Sequence, residues 1–325
     1  MPFPNVKLEF EQEWESILPK CSMNTIFMTP EWQYTWWKRF ASDSDVIMHI
    51  ARSEGSVTGV VPLLLKEKVV TFIGKSDVFD YMDFPVVQGV EKVFFQSLLE
   101  RLQTIEWDHI VLESIPENSP TLAFLPDMAR ESGYSVSVSE SDVTPFLELP
   151  SDWDEYLSGL RKKDRHELRR KLRRLETQEE FRQYEADLSL GNIQSEMGDF
   201  FTLMSKSASQ KEEFLTVENK GFFVDIATKL SGKGQFRLFF MEIGSRKVAS
   251  CICFDYNNDI FLYNSGYDPE LSSFSVGLLN KALTIKTAVS ESRSEYNFLR
   301  GTERYKYHLG AEDRKGFEMI IRRTQ

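Results

Sequence analysis

The sequence predicts an α/β (α+β) fold used twice: two domains, each a mixed, mostly antiparallel sheet flanked by helices. Three observations predict it. Apolar residues switch repeatedly between a period of two and a period near 3.6 along the chain. The 325 residues exceed one ordinary core and suit two of ~150. The order helix, two strands joined by a turn, third strand, helix, strand occurs once in each half, although residue identities do not repeat.

In the first half, residues 1–150, Pro30 opens a helix with Thr29 as N-cap, carrying Trp32, Trp36, Trp37 and Phe40. Strands follow at Val46–Ala51 and Thr58–Leu65 around a Glu54-Gly55 turn, then at Val69–Ile73. The helix Glu91–Gln103 is amphipathic, with Val93, Leu98, Leu99 and Leu102 expected on its buried face. Ile110–Glu113 is a buried strand and Leu122–Ser132 a helix; Tyr134–Val138 and Pro145–Leu149 read as two further strands.

The second half, 151–325, starts at Ser151-Asp152-Trp153-Asp154, which fits a helix-capping box. A helical segment runs to about Thr177 with a break near Ser158-Gly159, giving a basic helix over 159–177. Phe200–Ser209 and Gly221–Leu230 are helical. Strands are expected at Gln235–Ile243, Lys247–Tyr256 and Asp259–Asn264, then a helix at Gly277–Ser290, a strand at Tyr296–Leu299 and a last strand at Phe317–Arg322.

A net charge of −11 argues against a general attraction to nucleic acid or anionic membranes. One segment reverses it: residues 161–174 hold nine Lys or Arg against two acids. Three cysteines supply neither a disulfide framework nor a metal spacing, and Cys251 and Cys253 alternate as core residues of one strand. No metal is expected. The first ten residues do not read as a signal peptide, and no apolar run reaches the length of a membrane helix. The expected setting is the cytoplasm, without membrane insertion.

Three constellations carry chemistry. The first is Ile260–Gly277, a strand feeding a Gly/Pro/Ser-rich loop and then a helix N-terminus, whose free amides and dipole suit a pyrophosphate. Its plainer reading is an ordinary strand–loop–helix connection. The second is Tyr296–Tyr307, where a short strand delivers Arg300, Glu303, Tyr305 and Lys306 to one end. A salt-bridged surface turn is the alternative. The third is the basic helix, with Leu157, Leu160, Leu168, Leu172 and Leu175 on one face, interrupted by Asp164, and cations elsewhere. It reads either as a contact for an anionic ligand or as a solvated face, and no aromatic platform accompanies it for nucleic acid.

The series Leu160, Arg161-Lys-Lys-Asp-Arg165, Leu168-Arg-Arg170, Tyr263, Gly266-Tyr267-Asp268, Ser275-Val276-Gly277, Phe298-Leu-Arg-Gly301, Glu303 and Tyr305-Lys306 resembles the GNAT-superfamily proteins associated with cellulose biosynthesis, the CelD or BcsL group. These are relatives of the FemAB aminoacyltransferases. Pro30-Glu-Trp32, Trp36-Trp37, Val61-Pro62-Leu63 and Asp80-Tyr81 resemble the same group's first half. Val276 stands where the group tends to have Pro, and Thr302 where it has an acid.

The resemblance implies tandem GNAT-like domains and an acyltransferase, an acetyltransferase in the first instance, acting on an amine or hydroxyl of a saccharide or sugar-linked precursor. Acetyl-CoA or another acyl-CoA is the implied co-substrate, bound by Tyr263, Asn264, Ser273, Ser275, Val276 and Gly277. Glu303 is the expected base and Tyr305 the expected acid. Arg300 and Lys306, with Arg161, Arg165, Arg169, Asp80 and Tyr81, are expected to hold an anionic acceptor between the two halves. Two alternatives stand: FemAB-like transfer from aminoacyl-tRNA, the one case in which nucleic acid is a partner, and a non-catalytic binding module.

Overall fold

A computed structural model describes residues 8–75, 77–177 and 180–324. The chain divides into two compact units, Met1–Val143 with Arg314–Gln325, and Thr144–Asp313. The sequence reading placed the boundary at residue 150 and kept the last strand in the second half. Strand pairing accounts for the difference.

The first unit holds α1 (Leu8–Ile17), α2 (Pro30–Phe40), β1 (Asp45–Ser53), β2 (Ser56–Lys66), β3 (Val69–Phe72), α3 (Glu91–Gln103), β4 (His109–Pro116), α4 (Pro120–Glu131) and most of β5 (Tyr134–Glu148). Pro30 sits at the first helical position, and the Thr29 hydroxyl accepts from the Trp32 amide, as expected. Glu54 and Gly55 both have positive φ, 50° and 82°, which a tight hairpin turn demands. β1, β2 and β3 pair antiparallel, and β3 lies parallel to β4.

The last strand then lies antiparallel to β4, through Gly316–Arg322. That is why the end of the chain belongs with this unit. Trp32 meets the rings of Phe27 and Phe79 edge to face, with centroids 4.9 and 6.1 Å apart. Each such fully buried ring contributes about 2–3 kcal/mol.

On α3 the buried residues are Phe94, Phe95, Leu98, Leu99 and Leu102, while Val93 is exposed. The sequence reading had put Val93 inside; the two large rings claim that face. The two strands expected at 134–138 and 145–149 form one strand, β5.

The second unit contains the end of β5, then α5 (Trp153–Gly159), α6 (Lys162–Glu176), β6 (Arg182–Glu185), α7 (Ile193–Ser207), α8 (Ser209–Phe214), α9 (Val217–Leu230), β7 (Phe236–Ile243), β8 (Arg246–Tyr256), β9 (Asp259–Tyr267), α10 (Val276–Ser290), β10 (Glu295–Asn297), α11 (Arg304–His308) and the start of β11 (Glu312–Arg323). Asp152 rather than Ser151 caps α5, accepting from the Glu155 amide at 2.8 Å, while Glu155 reaches back to the Ser151 amide. The basic segment breaks after Gly159, so α6 starts afresh at Lys162.

The sheet runs β5, β10, β9, β8, β7, β6, antiparallel except for β10 against β9. One face packs on α5, α6 and α10 through Cys251, Cys253, Leu262, Leu168 and Leu279. The other meets α7 and α9, where Phe223 and Tyr263 rings lie 5.4 Å apart. Within this unit the expected order of helix, three strands, helix and strand holds.

Candidate functional site: the head of α10 and the gap beside β9

Two local features of the second unit create an opening. β10 pairs with β9 only at Asp259–Phe261 and ends at Asn297, whereas β9 continues to Tyr267. In the same stretch β9 carries a bulge: Cys253 faces Leu262 and Ile252 faces Asn264, leaving Tyr263 as the extra residue. Parallel strands that part company leave backbone groups of one strand without that neighbour, which is where a ligand can take their place.

Beyond β9 the chain enters a 3-10 turn at Pro269–Phe274 and then α10. Ser275 is the N-cap residue in left-handed conformation (φ 58°, ψ 34°), and its side chain does not cap the helix. No acid lies in the first turn of α10. The amides of Val276, Gly277 and Leu278 therefore head a 15-residue helix with no side-chain acceptor from that cap. Gly277 allows close packing: a Cβ there would sit 3.0 Å from the Tyr267 ring.

A pocket of about 270 Å³ opens at this point, lined by Lys171, Tyr267, Ser272, Ser275, Val276, Gly277, Leu278, Lys281 and Tyr305. Lys281 is buried and donates to the Gly277 carbonyl at 3.1 Å, with its ammonium 4.8 Å from the centre of the Tyr305 ring. Burial lowers the Lys281 pKa. Burial, and secondarily the Glu303 charge, raises that of the Tyr305 phenol, which stays protonated across the physiological range.

α6 supplies the other cations. Lys171 lines the pocket, and Arg174 donates to the Ser273 carbonyl at 3.2 Å while covering the Phe274 ring.

Of the residues singled out in the sequence, Ser275, Val276, Gly277 and Tyr305 meet in this pocket, with Ser273 beside it through Arg174. Tyr263 and Asn264 lie on β9, but the Tyr263 ring packs on Phe223 and Phe254 and the Asn264 side chain accepts from the Ser265 amide. Lys306 is buried and donates to the carbonyls of Leu299, Arg300 and Gly301 at 2.7–3.0 Å, with Glu303 3.0 Å away. It holds together the loop that carries Arg300.

Arg161 pairs with Asp164 at 3.5 Å, Arg165 donates to the Ser158 carbonyl at the end of α5, and Arg169 is exposed. Asp164, the interruption in the leucine face, turns inward and meets His308 at 2.7 Å. Asp80 and Tyr81 belong to the first unit, where Tyr81 is a buried aromatic near Phe27.

Lys171, Lys281 and Tyr267 were missed, although spacing contained a signal for two of them. Lys171 falls in line with Asp164, Leu168 and Leu175, and Lys281 with Gly277 and Ile285, so both lie on buried helix faces. Lys211 of α8 was also missed and has no such signal. Its ammonium donates to the Ser265 carbonyl on β9.

Among the described residues, no group of three or more His, Cys, Asp or Glu is arranged to hold a metal, and no helix is long and apolar enough to cross a membrane.

Comparison with known proteins agrees with this layout. Residues 162–307 match the acetyltransferase (GNAT) domain family model. Crystal structures with the same fold include FemX, at TM-score 0.66 and 13% identity over 95% of each chain. The C-terminal domain of a putative lysylphosphatidylglycerol synthetase from Agrobacterium fabrum gives TM-score 0.59 and 8% identity, over 96% of this chain and 91% of that one. A tandem GNAT protein from the clavulanic acid biosynthesis pathway gives 0.50 and 12%, over 96% and 94%. No curated protein sequence matches the chain. The fold is GNAT-like, and the segment matching the family model contains the pocket and the gap.

Proposed function

We propose that the second unit is an acyltransferase that takes an acyl group, most simply acetyl, from acyl-CoA and delivers it to an amine or hydroxyl of a saccharide or sugar-linked precursor. The observation that carries this reading is the uncapped head of α10, with Lys171, Lys281 and Tyr305 in one pocket. The donor's pyrophosphate meets the amides of Val276–Leu278 and the two lysines, a combination of helix dipole and point charge that favours a phosphate. The acyl thioester extends into the gap past Phe261, where a β9 amide polarises its carbonyl.

Tyr305 serves as the acid. Its burial keeps the phenol protonated, so it has a proton to give to the departing thiolate. Glu303 keeps Lys306 paired and the loop of Arg300 in position. Arg300 and the exposed cations of α6, including Arg169, hold an anionic acceptor. The saccharide assignment follows from the resemblance to the cellulose-biosynthesis group.

A second reading is supported by the stripe Lys162, His166, Arg169 and Arg173, exposed at helical spacing on α6, a helix that also lines the pocket. Such a stripe suits a donor joined to a longer polyanion, as in aminoacyl-tRNA. Thermal unfolding separates the two. Acetyl-CoA at about 100 times its Kd adds about 2.7 kcal/mol of stability and raises Tm by several degrees, with charged tRNA inert. The reverse pattern moves the donor to RNA.

A further inference from the structure

The gap beside β9 has two sides, and the acyl-CoA reading uses only one. α10 lies on the side of Leu262 and Cys251. α7 lies on the other, so close that a Cβ on Gly266 would be 2.3 Å from the Met204 amide nitrogen. α8 follows α7 after Ala208 and sends Lys211 to the Ser265 carbonyl, which lies past the last β9 residue paired with β10.

A donor carbonyl seated in the gap from the α10 side is open to attack from the side of α8. We propose that Lys211 is the proton acceptor for the incoming nucleophile, and that this nucleophile is an amine. The proposal rests on the acyl-CoA reading above.

The surroundings of Lys211 fit the task. Burial, then the like charge of Lys281, brings its ammonium down to about 8, with Glu303 opposing; Cys251, also nearby, has a thiol that burial keeps protonated. A lysine poised there is substantially neutral at pH 8 while retaining affinity for a proton. An alkylammonium, which must lose a proton before it can attack at all, is an acceptor matched to such a base.

The step balances as follows. Lys211 takes one proton from the acceptor ammonium, and the freed amine forms a C–N bond at the thioester carbonyl carbon. The C–S bond breaks with its electron pair passing to sulfur, which takes the Tyr305 proton. The surplus proton on the new amide nitrogen passes to the Tyr305 oxygen, and Lys211 releases its own to solvent.

The test needs no acceptor. Trace labelling of the free protein with acetic anhydride across pH 6–11, read by peptide mass spectrometry, gives a titration midpoint for each lysine. Lys211 is expected to titrate near pH 8 and to move upward in Lys281→Met. Its neutral fraction at pH 8 is then about a hundredfold above that of a lysine titrating near 10.4. A Lys211 midpoint at the ordinary lysine value overturns the proposal, whatever the donor proves to be.

A second arm places acetyl-CoA with the protein and no acceptor. Lys211, as the nearest amine, is expected to be acetylated selectively, and Gly277→Val is expected to abolish that labelling. Acetyl-CoA that raises Tm but leaves Lys211 no more acetylated than exposed lysines also overturns the proposal. Acetyl-CoA that does not raise Tm contradicts the donor reading instead, and the anhydride midpoint then decides the Lys211 assignment alone.

Discussion

α3 and α10 each follow a run of three antiparallel strands, β1–β3 and β7–β9, yet their N-termini are finished differently. At α3 the protein supplies its own anion: Glu91 occupies the first turn, and its carboxylate accepts from the Gly89 amide at 3.0 Å and the Ser22 hydroxyl at 3.3 Å. Neither helix is capped by the side chain of its N-cap residue, but α10 has no acid in its first turn, and two lysines line the pocket beside it. The strands before them differ too. β3 has four residues and β9 has nine, each pairing with its parallel neighbour over three, so it is in the second unit that the strand leading into the helix runs well past that neighbour. Each unit buries an acid in the segment leading to this helix, Asp83 and Asp268, and the second adds buried Lys281 in the α10 pocket. On the proposed reading, the repeated plan yields a binding end where the helix head lacks an acid of its own and has lysines beside it.

The largest expected effect comes from Tyr305→Phe, which removes the acid but keeps the ring beneath Lys281. It should lower kcat by about 10²–10⁴-fold with little change in donor affinity. Unchanged turnover would remove Tyr305 from the chemistry.

Asp83 tests the other side of the comparison. Burial pushes its carboxyl up to about 6 from 3.8, against the hydrogen bonds from Ser119, Thr121 and Phe84. For an acid whose folded pKa is raised, this stability is fully present below pH 3.8 and is lost as pH rises through about 6. The difference corresponds to about 3 kcal/mol. Asp83→Asn should flatten the decline in Tm between about pH 4 and 6.5, and an identical slope in the variant would contradict the assignment.

Gly277→Val drives carbon into the Tyr267 ring and the mouth of the pocket. Donor affinity should fall about a hundredfold, equivalent to about 2.7 kcal/mol.

The smallest effects exchange the two helix heads. Ser275→Asp gives α10 its own anion and should weaken donor binding about tenfold while stabilising the free protein by about 0.3–1 kcal/mol. Glu91→Gln should cost a similar amount of stability and leave donor binding alone. Equal effects on binding at the two heads would erase the distinction between them.

Most of the second unit was readable along the sequence, because its strands and helices are amphipathic or wholly apolar and are punctuated by Asn257-Asn258 and Gly244-Ser245. The exchange of the final strand was hidden: a run such as Phe317–Arg322 shows its own period but not its partner, which proves to be β4. The start of α10 was legible because a helix start is a local property, recorded in Ser275-Val276-Gly277.

Assignments by charge were less legible. Lys306 and Arg165 looked like ligand-binding cations, but backbone carbonyls take them. Lys171 and Lys281, on buried helix faces, occupy the pocket instead. Lys211 left no trace, since Ser209-Gln-Lys-Glu-Glu reads as a polar turn and only the crossing of α7 over β9 brings it to the gap.

The central claim is that the head of α10 receives the donor's phosphates. Calorimetric titration with coenzyme A, which carries the phosphates without an acyl group, tests it directly. The account predicts one site, weakened at least about tenfold by either Lys171→Gln or Lys281→Met and unchanged by Lys92→Gln at the head of α3. No binding of coenzyme A, or binding indifferent to both pocket lysines, would contradict it.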